Sequence, residues 1–281
     1  MVWIVHEAEV AAHPLGSQAV RRPLLTREQV PDTRVLVDRL SIAASGHCSV
    51  TVPAGGLGWM RVLQGDVRLE HEGNTHVLSD AHVVLLPAGS TASLASAHGA
   101  ELLYAEIPEA AALDPDFSAH APTLRIIDWT REPVLDSKFD ARKRIYVATP
   151  KLLGTKALKA EIIVYPKGTS GSNHHHEGAE HFMYILKGST TGYSDEVPHR
   201  YRAGDLVYHP DGERHYSHTA PDEDMMFIEF FVPAEYETVW ANTSRVCTWV
   251  PSGKDSKGGK PVRDIQAHDS RSAAVQVPED L

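Results

Sequence analysis

The residues best able to do chemistry stand close together. His174, His175 and His176 run in sequence, Glu180 and His181 follow, and His215 stands further on. The chain carries 17 histidines, and their concentration between residues 174 and 218 needs a chemical reason. Alternate residues of a strand share a face, so His174 and His176 point one way and His175 the other. With His215 and one further donor they make a set able to hold Fe, Mn, Zn, Cu or Ni. The further donor is His181 or Glu180; neighbours on a strand face opposite sides, so at most one of them binds. Three or four neutral imidazoles leave positions open on a metal. A chelating enolate, catecholate or carboxylate can bind there with O2 beside it, or a water can be activated.

The same alternation extends the site. Met183 and Ile185 follow His181 inward as an apolar wall, and Ser217 follows His215. Tyr193, Tyr208 and Arg214 fall near the mouth, where they either hold a substrate carboxylate or phenol or pack the rim. His175, His199, His209 and His218 stand outside the pattern and read as surface or supporting residues, with His218 able to orient a ligand.

Such a site needs short strands and tight turns to position it. Proline and glycine punctuate the chain, and between them lie short runs rich in Val, Ile, Leu, Tyr and Phe, such as 83–86, 161–165, 182–186 and 226–232. That spacing predicts an all-β sandwich or barrel. Helical periodicity is weak, with one short helix expected over 235–242.

The pattern occurs twice. Gly65, Pro87 and Gly89 recur as Gly188, Pro210 and Gly212, each at an offset of 123 residues. The same offset pairs Val84 with Val207, Tyr104 with Phe227 and Glu106 with Glu229. Two copies of one β module are expected: a first over residues 1–120, a crossover over 121–157, and a second over 158–250. The crossover carries a charged patch (Asp140, Arg142, Lys143, Arg144) and an edge strand at 145–147. The polar tail 251–281 reads as disorder or a surface strap. Subtracting 123 from His174, His176, His181 and His215 leads to Thr51, Pro53, Gly58 and Ala92. None is an imidazole or carboxylate, so the first module has kept the turns and lost the ligands. Glu229, recurring as Glu106, reads as structural. His71, His76 and His82 read as surface residues.

Gly168, five residues, His174-x-His176, then His181 and Gly188, followed by Gly204, five residues, Pro210-x-Gly212 and His215, resemble the paired motifs of the cupin superfamily. The resemblance implies two tandem cupin barrels, a bicupin, with a metal site only in the second. It implies His174, His176, His181 and His215 as ligands, with Glu180 the alternative to His181. A four-histidine set resembles small manganese cupins, and three histidines with a glutamate resemble germin and quercetinase types. The expected cofactor is one divalent metal per chain, Fe(II) or Mn(II) first, with Zn, Ni or Cu also compatible. The expected activity is that of a dioxygenase acting on a small acidic, phenolic or enolisable compound. The layout is also similar to ureidoglycine aminohydrolases, which suggests a hydrolase or lyase. Here His215 replaces the glutamine of that family's second motif, and His174-x-His176 replaces its Glu-x-His. A third reading is a non-catalytic binding protein. Bicupins pair through edge strands, so a homodimer is expected.

Bulk properties narrow the rest. Twenty-seven Lys and Arg against 37 Asp and Glu give a net charge of −10. That argues against nucleic acid and anionic membranes as partners and leaves a small molecule. No apolar run approaches the length of a membrane helix, and no leader pattern opens the chain, which fits the cytoplasm. Cys48 and Cys247, one in each half, read as buried packing residues.

Overall fold

A computed structural model describes residues 1–219 and 223–270. It is an all-β protein with two compact units. Glu7–Trp129 and Leu153–Ala157 form one unit. Met1–His6, Thr130–Leu152 and the chain from Leu158 onward form the other. The second-module unit is therefore discontinuous: Trp3–His6 pairs antiparallel with Asp205–His209. Among the described residues, no helix is long and apolar enough to cross a membrane.

The first unit is a curled sheet. Its long strand Leu36–Thr51 pairs with His13–Leu25 on one side and with Thr91–Ser96 and Ala100–Ile107 on the other. Period-two burial along Leu36–Thr51 puts Leu40, Ile42, Cys48 and Val50 into one apolar core with Met60, Val84, Leu86 and Leu102.

The second unit faces a nine-stranded sheet with a five-stranded one. Phe182 to Ile185 and Phe227 to Val232 lie side by side at the centre of the larger sheet, and His174–Glu177 and His215–Thr219 lie in the smaller. Lys143–Ala148, expected at an edge, is internal, between Leu135–Ser137 and Lys159–Tyr165. The helix expected over 235–242 is instead a strand, Glu237–Trp240, pairing with His174–Glu177. The β-branched Thr238 and Val239 suit that pleat.

The polar segment after Ser252 is ordered as far as Ser270. Ile265 is buried, and His268–Asp269 adds a strand to Thr248–Pro251. The rest of the expected tail lies outside the described residues.

The repeat is real in three dimensions, but its offset drifts. Gly58↔Leu86 and Met60↔Val84 match His181↔His209 and Met183↔Val207 at 123. Val50↔Ala92 matches His174↔His215, so the strand of His174 is displaced by 124. Met60↔Tyr104 matches Met183↔Glu229, so the last strand is displaced by 125. The turn before that strand is two residues longer in the second module, 220–224 against 97–99. Glu229 therefore stands where Tyr104 stands, and its pairing with Glu106 is corrected. The glycine turns survive this drift. Gly65 and Gly188 have φ of +77° and +76°, and a side chain on either would strike a facing carbonyl, that of Gly99 or Asp224.

Candidate metal centre

Five histidines converge in the second module. Those of His174, His176 and His215 place their ligand atoms within 4.8 Å of one another, and so do those of His181, His209 and His215. His215 belongs to both groups. These clusters could hold a metal ion. The strands explain the meeting: His174 lies directly across from His215, and His181 directly across from His209.

Hydrogen bonds fix which nitrogen of each ring is free. His174 donates through Nδ1 to the Ser172 carbonyl at 2.7 Å, and His215 through Nδ1 to the Glu213 carbonyl at 2.9 Å. His209 Nδ1 donates to Glu213 Oε2 at 3.0 Å, and His181 Nε2 donates to Glu229 Oε2 at 3.1 Å. His176 Nδ1 shares a bond of 3.2 Å with Thr238 Oγ1. What remains is a set of buried nitrogens without a hydrogen-bond partner: Nε2 of His176, His209 and His215, and Nδ1 of His181. An unpaired buried polar atom costs about 1–3 kcal/mol, and these four, drawn from two groups that share His215, are donors that a bound cation would satisfy.

Burial lowers the affinity of these rings for protons. His174 and His209 are pushed down to about 4, and His176 and His215 well below the ordinary value of 6.5, with neighbouring imidazoles adding to the effect for His176 and His215. All four are neutral at pH 7 and able to donate lone pairs. Burial alone would raise Glu229, but its bond to His181 and the charge of Arg144 hold it below the usual carboxylate range. The metal-free protein should therefore lose stability on acidification. The unfolded chain takes up protons near pH 6.5 and the folded rings do not until about 4, so Tm should be level above pH 7 and fall from 6.5 toward 4. Glu161, raised by burial to about 7 against the pull of Arg144 and Lys159, acts in the opposite sense between 4.5 and 7. Asp38, raised by burial to about 6, and Glu106, also raised by burial, act in the same sense as Glu161, and the four rings with Glu229 outweigh these three. A calorimetric Tm that rises between pH 7 and 5 would contradict this balance.

The sequence expectations divide clearly. His174, His176, His181 and His215 come together. Glu180 is buried but stands in neither group, since it neighbours His181 on one strand. His209 is the residue that sequence reading set aside as surface or supporting; it is 1% exposed and its Nε2 faces the cluster. Its place beside Pro210, opposite His181, was the available signal. His218 is turned away, bonded to Ser170 at 2.6 Å. Met183 and Ser217 line a small cavity beside the histidines. Ile185 is fully buried in the core, not on that cavity. Tyr208 is buried on the neighbouring position to His209 and lines neither cavity. Tyr193 stacks on Tyr216 at 4.5 Å, and Arg214 bonds Asn173 and His175; both serve the rim.

The histidines sit between two cavities. The smaller, about 380 Å³ and in part open to solvent, has Met183, Tyr201 and Phe227 in its walls. The larger, about 710 Å³ and in part open to solvent, borders His174 and His176 and runs past Arg144, Tyr146, Lys159 and Trp249. Arg144 and Tyr146 come from the stretch that the sequence marked as a charged patch and an edge strand of the crossover, and Lys159 and Trp249 from the two ends of the second module.

The first module shows what the site looks like when filled by side chains. By register, His174, His176, His181, His209 and His215 correspond to Val50, Val52, Gly58, Leu86 and Ala92. A Cβ on Gly58 would meet Val52 at 2.9 Å, the Tyr104 hydroxyl at 3.1 Å and Leu86 at 3.2 Å. Those are the counterparts of His176, Glu229 and His209. The earlier correspondents Thr51 and Pro53 are thus one residue off, and the lost ligands are apolar core.

Residues 161–231 match the cupin domain family model. A search of curated proteins finds uncharacterized protein MJ0764 of Methanocaldococcus jannaschii, 30% identical over 79 residues; the match spans 28% of this chain and 66%, just under two thirds, of that relative. Among solved structures, YlbA of E. coli superposes with a TM-score of 0.68 at 15% identity, covering 82% of this chain and 90% of that one. Oxalate decarboxylase from Bacillus subtilis superposes with a TM-score of 0.66 at 14% identity, covering 85% and 78%. At such identities the likeness is one of fold.

Proposed function

Because the chain belongs to the cupin superfamily as a two-domain protein, we propose that its second module is a metal-dependent enzyme centre and its first module a metal-free scaffold. The observation that carries the proposal is the set of buried, partnerless nitrogens on His176, His181, His209 and His215, which lie between the two cavities. His174, His176, His181 and His215 are the proposed ligands, and His209 offers a fifth nitrogen beside His181 and His215. The donor set suits Fe(II) or Mn(II), with Zn, Ni or Cu compatible, and such an ion would supply Lewis acidity and a binding place for O2.

The chain's own residues define the rest. Glu229, Glu213, Thr238 and the Ser172 carbonyl orient the rings. Charges in the larger cavity come in pairs. Arg142 is held by Asp140, Arg144 by Glu161 and Glu229, and Lys159 donates to the Tyr236 hydroxyl at 2.9 Å. A paired wall does not by itself capture a strongly anionic ligand, so the bound ion would anchor the substrate's acidic oxygens. The activity favoured is that of a dioxygenase on a small phenolic, acidic or enolisable compound. A second reading, a lyase or hydrolase, is favoured by Glu161 and Lys159: a buried carboxyl raised to about 7, 3.9 Å from a lowered amine that borders the cavity, can store a proton and release it through that amine. The name of one structural neighbour, an oxalate decarboxylase, points the same way.

An oxygen electrode separates the two. Metal-loaded protein is screened against catechols, enolisable acids and dicarboxylates, in air and under argon. Turnover that consumes O2 and stops under argon supports the dioxygenase. Turnover that continues under argon overturns it for the lyase or hydrolase.

A further inference from the structure

The larger cavity is walled by rings, and its walls touch the proposed ligands. Trp240 stacks on His174 at 4.8 Å and 26°. Phe231 lies parallel to His181 at 4.7 Å and 9°, meets His176 edge-on at 4.9 Å, and stacks on Tyr236 at 4.2 Å. Tyr146 and Trp249 complete the wall, with the Arg144 guanidinium 4.3 Å above Trp249. One residue near the end of the described chain holds both indoles. Trp240 Nε1 donates to the Ser270 carbonyl at 3.2 Å, and Trp249 Nε1 donates to Ser270 Oγ at 3.1 Å. Beside it, the Tyr146 hydroxyl and His268 Nε2 are 2.7 Å apart. The C-terminal segment thus builds one side of the cavity, although its polar composition gave no such sign.

We infer that this cavity is a ring-binding chamber: it takes a planar aromatic ligand whose chelating oxygens face the histidines, and Ser270 is a positioning residue that sets the ring's walls. The inference rests on the metal-centre reading and narrows its substrate class. Aromatic faces offset by such walls gain both burial and stacking. A short aliphatic chelator of the same head group gains neither. Because the charges of the wall are already paired, the ring supplies the selectivity and the head group supplies attachment to the ion.

The test uses two hydroxamic acids with the same chelating group, one with a phenyl ring and one with a methyl. Metal content of the full chain is measured first, after loading with Mn(II) or Zn(II). Calorimetric titration should then show benzohydroxamate binding roughly ten- to a hundredfold tighter than acetohydroxamate. Trp240→Ala should bring that ratio close to one. Ser270→Ala, which removes the hydroxyl that accepts from Trp249 at 3.1 Å and from Arg144 at 3.4 Å, should cut it by roughly threefold or more. In Ser270→Ala acetohydroxamate affinity and metal content should stay at the wild-type level, which a general loss of structure would not allow; Trp240→Ala, which also removes the ring stacked on His174, is read by the ratio of the two acids at matched metal content. Equal affinity for the two acids in metal-loaded wild type overturns the chamber and leaves the metal centre standing. An unchanged ratio in both variants overturns the assignment of the walls. Failure to take up metal overturns the centre, and the chamber with it.

Discussion

His215→Ala should all but abolish metal binding, with affinity falling by at least on the order of a hundredfold. Altering a residue that merely orients a ligand costs about 10–100-fold, and His215 stands nearer the centre than that. It is the one histidine shared by both clusters, 4.5 Å between ring centroids from His174 and 4.3 Å from His209. Its Nε2 is buried and without a partner, and its Nδ1 is committed to the Glu213 carbonyl. Removing the ring takes a donor from each group at once. His209→Ala should cost less, because His174, His176, His181 and His215 remain. Competitive titration against a chelator ranks the variants, and the account fails if His209→Ala is the more damaging.

Arg144→Met should be the most destabilising single change among the cavity's charged residues, by about 3–5 kcal/mol. The guanidinium lies 3.2 Å from Glu161 and 3.8 Å from Glu229, and Glu161 is fully buried. Methionine keeps much of the volume but leaves two buried carboxylates facing each other, with Lys159, 3.9 Å from Glu161, as the cation that remains. At 2–4 °C per kcal/mol for a chain of this size, Tm should drop by about 10 °C. Adding Glu161→Gln should restore part of the loss, since it removes the unpaired charge. The first module contains a control. Arg21 and Asp38 occupy the positions of Arg144 and Glu161, at 3.8 Å with Arg21 half exposed. Arg21→Met should cost no more than about 1 kcal/mol, as exposed pairs do. Equal losses at both arginines would show that burial is not what makes Arg144 matter.

Much of this arrangement was legible in the sequence, and the reasons are local. Turn glycines and prolines and period-two burial are properties of neighbouring residues, so the duplication and the inward pair His174 and His176 could be read directly. His181 was separable from Glu180 by alternation and by its register with Gly188. What escaped depends on pairing across strands. A one-residue drift in the strand of His174 and a two-residue longer turn before Met225 misaligned the repeat. That drift gave Glu229 a false counterpart in Glu106, whereas the true counterpart, Tyr104, carries its hydroxyl into the space His181 would need. His209 was overlooked because only its position opposite His181 reveals it. The aromatic walls come from separate stretches of chain and are held by Ser270, in a polar segment that composition alone assigns to solvent.

The central claim is a single ion held by the second module's histidines. The direct measurement is elemental analysis of untagged protein purified without added metal, followed by anomalous diffraction at the absorption edge of the element found. The account predicts close to one equivalent per chain and one anomalous peak among His174, His176, His181 and His215, with none in the first module. A chain without metal, or a peak away from these histidines, would contradict it.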